Sequence, residues 1–377
     1  MGIFSHDSGS TNHTCSMPKD LSGEASEPLV GSISFHTFNM ILSGACTAFT
    51  FLVIFVLMML HATHLSNPYR QTRIMRICAL LPAYSIISFL AICFPDAYVY
   101  LVAWLDLFQS IALYSFFLLL CDFLTPNEEQ RGLIFATLRP KKGRSSSETM
   151  DGLVWFQRKW IAILQYPVVS LLDAIVTCIT QAAGIYCLES NKAYFGHLWL
   201  NIARILSVSV AVIAIIEFYL TLKQHIAQHK PLTKLVAFKL IVGLVFFENI
   251  IFMILRSTSV LAPTAQLTYA DIHMGIQTMI VCIQMVPIAC FFHYAYGIGP
   301  YKLSRSPSTD QHDYSTVDIN GIKAQRRYQG GLLGIRAWLM FFNPMENVRD
   351  LQDTFGMIDR ARRGSQQTLL NDSTVYR

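Results

Sequence analysis

Asp106, Asp173 and Glu248 stand inside long apolar stretches of this chain. An ionisable side chain in hydrocarbon is expensive, so by default it marks a pathway, a partner or a binding site. Each acid has polar company at helical spacing. Asp106, Gln109, Ser110, Tyr114 and Phe117 share one side of a helix, and Tyr166, Ser170, Asp173, Thr177, Thr180 and Gln181 make a second stripe. Glu248 is followed by Asn249, while His273, Gln277 and Gln284 align ahead of Pro287. Arg204 and Glu217 add charges of both signs to a further run. Groups of this kind either bond helix to helix, each pair contributing under about 1 kcal/mol, or line a polar conduit. The three acids together favour the conduit. Its candidate lining is Asp106, Gln109, Tyr114, Asp173, Thr177, Glu248, Asn249, Gln277 and Gln284.

That is chemistry for holding and passing a solute, not for making bonds. No phosphate loop, nucleophile elbow or metalloprotease motif occurs, so no enzyme and no cofactor are expected. A retinal pigment would need a lysine in the last apolar run, which has none. The pairs His61/His64 and His225/His229 have helical ligand spacing but no cysteine or clear carboxylate beside them. Headgroup and helix-end contacts are therefore expected rather than a metal. The nine cysteines form no close-spaced metal pattern; most read as small packing residues, and only Cys15 and Cys187 are placed to meet an oxidising compartment.

The elements that must position these side chains are membrane helices. Of 377 residues 53% are hydrophobic and 14% charged, against about 25% charged in soluble chains. Seven runs approach the roughly 20 residues that cross a bilayer core: Phe38–Leu60, Ile74–Phe94, Tyr98–Leu124, Ile161–Cys187, His197–Leu222, Leu235–Leu255 and Ile272–Tyr296. They are continuous, unlike the alternating strands of a barrel. The fold class is all-α: a polytopic membrane protein with seven transmembrane helices. The net charge of +5 is read by its location, not as a nucleic-acid signal. Lys and Arg gather in the first, third and fifth loops and in the tail, which places the N-terminus outside and the C-terminus in the cytosol. Arg70, Arg73 and Arg76 then form a cytosolic anchor at the mouth of the second span, and Pro82 kinks that span. Asp122 and Lys239 lie near the same interface and are expected to snorkel. Asn12-His13-Thr14 is a candidate N-glycosylation sequon on the outer side, whereas Asn371-Asp372-Ser373 falls in the cytosol and stays unmodified. The first span serves as its own insertion signal, since the opening 37 residues lack the pattern of a secretory leader.

Organisation follows: an outer segment 1–37, the seven-helix domain 38–297, a disordered cytosolic linker 298–329, amphipathic membrane-associated helices 330–362 and a disordered tail 363–377. Within the third loop, Lys141–Thr149 reads as a mobile linker open to phosphorylation. GGLLGIRAWLMFFNP, Gly330–Pro344, is too short to span yet strongly apolar, and reads as an in-plane segment at the headgroup boundary. After it, Asn343, Pro344 and Glu346 make a helix start, with Val348, Leu351, Phe355 and Ile358 on one face.

The chain resembles the organic solute transporter alpha-subunit family, nearest its transmembrane protein 184 branch and fungal members. The resemblance rests on Pro68, the three arginines and Leu81–Ser85 (LPAYS), Asp106, Tyr114, Phe116 and Asp122, Leu164–Pro167 (LQYP), Ser207 with Ser209, and Phe218-Tyr219. It continues through Pro231, Lys234, Phe238 and Lys239, then Gly275-Ile276-Gln277, Cys282–Met285 and His293-Tyr294-Ala295, and Asn343-Pro344 in the tail. Departures are Gln109 and Gln284 where the family has Glu, Ser115 for an asparagine, and Glu248-Asn249 for an aromatic-Gln pair. The resemblance implies seven membrane helices and facilitated movement of amphipathic organic solutes, steroid- or bile-acid-like. It also implies, as partner, a single-span beta subunit, with a homo-oligomer the other option. The remaining expected partners are membrane lipids and the small organic solute, with no nucleic acid. Plasma membrane and vacuolar or endosomal membranes both fit. The alternative reading is a seven-helix sensor, receptor or scaffold in signalling or trafficking, with the tail as its interaction surface.

Overall fold

The computed structural model describes residues 31–125, 128–138, 151–188, 192–226, 231–257, 263–302 and 328–343, with isolated positions between 15 and 29 and at 140, 190, 352, 356, 359 and 363. Seven helical units are long and apolar enough to cross a membrane. The first is a single helix, α1 (Phe35–Thr63), capped by the Ser34 side chain. The second is broken into α2 (Pro68–Cys78) and α3 (Leu80–Cys93) at Ala79. Pro82 explains the position: it has no N–H for the carbonyl four residues back, at Cys78, and its ring crowds that carbonyl. The third unit starts with a tight turn, Pro95–Ala97, and continues as α4 (Tyr98–Val102) and α5 (Leu105–Leu124).

α6 (Glu128–Thr137) is a helix within the third loop, where the sequence showed only connection. It is held by Phe135, fully buried and stacked on Phe156 with ring centres 4.1 Å apart. α7 (Gly152–Ala182) is the fourth unit. It starts earlier than the expected Ile161, capped by Asp151, and stops short of the expected Cys187. Gly184, at φ +72°, turns the chain back so that the Ile185 and Tyr186 N–H groups donate to Thr180 O. α8 (Gly196–Ile226) and α9 (Pro231–Ser257) follow. A π-helical turn, Asp271–Gly275, leads into α10 (Ile276–Ala295), and α11 (Ile335–Phe342) is the short helix after the seventh unit.

α1, α3 and α10 pack on one another; α5 joins this group, with α2, to the α7–α8 pair; α9 lies along α10. The α1 interface is polar and small, with Asn39, Ser43, Thr47 and Thr50 all buried. Such residues let membrane helices approach closely. Asn39 donates to the π-turn carbonyl of Gly275 at 2.9 Å, and Thr47 to Ser85 O at 3.2 Å.

The arginine end, expected as a cytosolic anchor, is internally tied. Arg73 is 5% exposed and forms an ion pair with the buried Asp122, which therefore does not snorkel. Arg70 donates to Asp122 O and lies over the Phe123 ring, as Lys234 does. Arg76 donates to Met340 O (2.8 Å) and Asn343 O (3.1 Å), closing the C-terminus of α11. His61 is fully buried and bonds Tyr296 O at 2.8 Å, a helix-to-helix latch instead of a headgroup contact. Both ends of the expected disordered linker are docked: Ser66 Oγ donates to Tyr301 O, and the Gln329 N–H to Leu65 O. At the opposite end Cys15 and Cys187 form a disulfide. Asn12, Lys141–Thr149, 303–327 and the stripe Val348, Leu351, Phe355 and Ile358 lie outside the described residues.

Candidate functional site

The candidate residues fall into two groups. The first is built on α3, α5, α7 and α8. Gln109, on the inward side of α5, accepts from Tyr84 Oη on α3 at 2.7 Å and donates to Tyr166 Oη on α7 at 2.8 Å. The amide thus uses both its ends, and a phenol–amide–phenol chain crosses three helices. Ser170, a turn on, is satisfied within α7 by donating to the Tyr166 backbone carbonyl at 2.6 Å. Less than one turn from Gln109 toward the disulfide end, Asp106 accepts from Arg204 Nη1 on α8 at 3.1 Å, and Arg204 also bonds Asn201 at 3.1 Å. Asp106 and Arg204 keep 21% and 26% side-chain exposure.

Asp173, two turns along α7 from Tyr166, is 5% exposed, and its Oδ1 has no hydrogen-bond partner among the described residues. It lies within electrostatic reach of Arg204 and Asp106. Thr177, a turn further on, is buried on the same face. Tyr186, in the loop after α7, sits above this group; burial pushes its phenol up to about 12, partly opposed by Arg204. At neutral pH it is therefore a protonated hydrogen-bond donor. One cation, two acids, a doubly bonded amide and several hydroxyls can hold a solute that carries both hydrogen-bond donors and an acidic group.

The second group lies between α9 and α10. Gln284 donates to Glu248 Oε2 at 3.0 Å, and Gln277 to Asn249 Oδ1 at 2.6 Å. Glu248 is 8% exposed, with Oε1 lacking a partner among the described residues. No hydrogen bond or ion pair among the described residues joins this ladder to the first group. Tyr114 belongs to neither: its ring packs edge-on against Trp160 in the aromatic core toward the arginine end. Among the described residues no three His, Cys, Asp or Glu gather as a metal site.

Tyr84, Tyr166 and Arg204 are part of the first group although the candidate lining omitted them. Arg204 carried a usable signal, as the cation in an apolar run that also had to accommodate acids elsewhere. Tyr84 stood out only within the LPAYS stretch of the resemblance, because a tyrosine in an apolar run otherwise reads as packing.

The profile of the organic solute transporter Ostalpha family matches residues 39–302, which include both polar groups and all seven spans save the first four residues of α1. Protein LAZ1 of Arabidopsis thaliana is 25% identical over 321 residues, covering 77% of this chain and 64% of its own length. Protein LAZ1 homolog 1 of the same plant is 23% identical, with the same coverage of 77% and 64%. A transmembrane protein 184 homolog of Dictyostelium discoideum is 24% identical, covering 71% of this chain and 54% of its own. The chain thus spans less than two thirds of the length of these relatives. No solved structure matches it. Seven membrane-length helices in the matched region and a profile covering well over half of the chain lead to one assignment: this protein belongs to the organic solute transporter Ostalpha family.

Proposed function

We propose that this protein is a carrier for an amphipathic organic solute of the steroid or bile-acid type, with the Asp106, Gln109, Asp173 and Arg204 group as its polar site. The observation that carries the reading is the partly exposed Asp106–Arg204 pair beside a buried carboxylate oxygen of Asp173 that has no hydrogen-bond partner among the described residues. A buried acceptor without a donor costs stability, and a solute hydroxyl would supply the donor. Its acidic group would compete with Asp106 for Arg204. The Glu248–Gln284 ladder is a second station along the path.

The protein acts without catalysis and without a cofactor, in the plasma membrane or a vacuolar or endosomal membrane, alone, as a homo-oligomer or with a single-span subunit. Its N-terminus is outside: the Cys15–Cys187 disulfide supports this, because such bonds persist in oxidising compartments. The sensor or scaffold reading draws support from the Arg76 clamp, which couples α11 to the second span.

The test is flux of labelled steroids and amphipathic anions into proteoliposomes. Saturable flux that Asp173→Ala and Asp106→Ala abolish at equal protein incorporation is the expected result. Absence of flux from folded protein, or flux indifferent to both variants, would sink the site assignment.

A further inference from the structure

At the arginine end, residues 328–343 fold back onto the joint between α1 and α2. The Gln329 N–H donates to Leu65 O at 2.8 Å, Ala337 is fully buried, and Arg76 holds the far end of α11. Between this returning segment and the start of α2 lies a cavity of about 370 Å³, within the range of about 300–1,000 Å³ usual for small-ligand sites. Its lining includes Asn67, Tyr69, Gln329, Arg336 and Met340, and no acidic residue.

The donors in this lining are unused. Among the described residues the Arg336 guanidinium, the Gln329 amide and the Tyr69 hydroxyl make no hydrogen bond. Asn67 gives its side-chain oxygen to the Arg70 N–H at 3.2 Å, which leaves its NH2. One cation among neutral donors, with no carboxylate to oppose it, suits a single negative charge, and a planar guanidinium meets a phosphate with two parallel N–H bonds. The cavity also has an apolar fringe. Leu339 and Met340 follow Arg336 by three and four residues, on the same side of α11. Leu339 is 67% and Phe342 73% exposed, and Trp338 stacks on Phe55, which with Leu52 is exposed on the flank of α1. The fringe therefore runs on into the apolar surface of a membrane span.

We propose that this cavity binds the head of one anionic phospholipid, with the phosphodiester on Arg336 and the acyl chains along Leu339, Phe342 and α1. Asn67, Gln329 and Tyr69 then meet the hydroxyls of a glycerol- or inositol-type head. The depth fits, because the cavity opens where α1 ends and α2 begins, the level at which headgroups lie. A choline or ethanolamine head is disfavoured, since no carboxylate lines the cavity to take its ammonium. A second phosphate charge would likewise find no second cation in the lining. A lipid seated here touches both α2 and α11 and braces one against the other. The site stands at the opposite end of the bundle from the Cys15–Cys187 bond and holds whether or not a solute crosses.

The test uses the full-length protein in a neutral detergent. Phosphatidylglycerol or phosphatidylcholine with the same chains is added, and bound lipid is counted by native mass spectrometry. One phosphatidylglycerol should bind at least about tenfold more tightly than phosphatidylcholine, as a charge-assisted pair implies. Arg336→Gln should remove that preference, and so should Gln329→Glu, which sets a carboxylate in the same cavity. Lys192→Gln, which deletes an exposed cation at the other end, should keep it. Both cavity variants change exposed side chains, so each should unfold at the parent's temperature without added lipid, and a lost preference is then not a lost fold. Equal binding of the two lipids overturns the site. So does a preference that either cavity variant leaves intact, or one that Lys192→Gln also removes. Glycerol phosphate, the same head without chains, should compete only at about a hundredfold higher concentration or more, because it buries no apolar surface. Competition at matched concentration would give the cavity to a soluble anion and overturn the lipid.

Discussion

If Arg73 were truncated to alanine, the buried Asp122 would lose its ion pair with Arg73. Both side chains are nearly inaccessible, at 6% and 7% exposure. Breaking one side of such a pair costs about 3–5 kcal/mol, whereas removing both partners together is far milder. A double-mutant cycle should therefore show Arg73→Ala and Asp122→Ala each strongly destabilising and the double variant no worse than either. Thermal unfolding in detergent, followed by tryptophan fluorescence, reads this directly; additive losses would mean that the two side chains act independently. A smaller version applies to Gln109, whose amide is used at both ends. Tyr84→Phe and Tyr166→Phe each leave one buried polar group unmatched, at about 1–3 kcal/mol. Gln109→Leu in the Tyr84→Phe/Tyr166→Phe background removes the whole chain and should recover part of that loss. A triple variant less stable than the double would show that the amide serves some further contact.

At the scale of elements, the short helix α11 is where local sequence and tertiary contact meet. Its entry needs Gly334, which adopts φ +76° and would place a Cβ 2.6 Å from the Ala62 backbone. Its exit is closed by Arg76, and Trp338 stacks on Phe55 of α1 with ring centres 5.9 Å apart. Gly334→Ala and Arg76→Gln should both release this helix. Amide exchange over residues 335–342 should accelerate by at least about tenfold, a change that 1.4 kcal/mol of lost docking produces, while the spans keep their protection. Unchanged exchange would show that α11 is held chiefly by its apolar face. The apolar composition of Gly330–Pro344 was legible in the sequence; the clamp was not, because Arg76 and Met340 are brought together only by the fold. The same distinction runs through the longer elements. The seven spans were plain from their apolar length, and the break near Pro82 from the missing N–H. The early start of α7 and the existence of α6 were hidden, since Phe135 acquires its meaning only when it lies on Phe156.

For the whole molecule, the sequence supplied the membrane class and the acids that had to be accommodated, but not their partners. Asp106 and Arg204 are 98 positions apart, and nothing local could pair them. Nor did spacing reveal that Glu248, Gln277 and Gln284 sit on α9 and α10 apart from the Asp106 group. Sidedness is the property on which local and global signals can be set against each other. The basic loops speak for the cytosol at the arginine end, the Cys15–Cys187 bond speaks for an oxidising space at the other, and the proposed topology rests on both. Asn12, close to Cys15 in sequence, must share its compartment. Protein expressed in a glycosylating host should therefore shift on a gel after glycosidase treatment. Asn12→Gln should abolish the shift and Asn371→Gln leave it intact. Peptide mapping without reductant should recover Cys15 joined to Cys187 from the same preparation. A glycan at Asn371 together with reduced Cys15 would invert the topology, because the end carrying Cys15 would then face a reducing compartment.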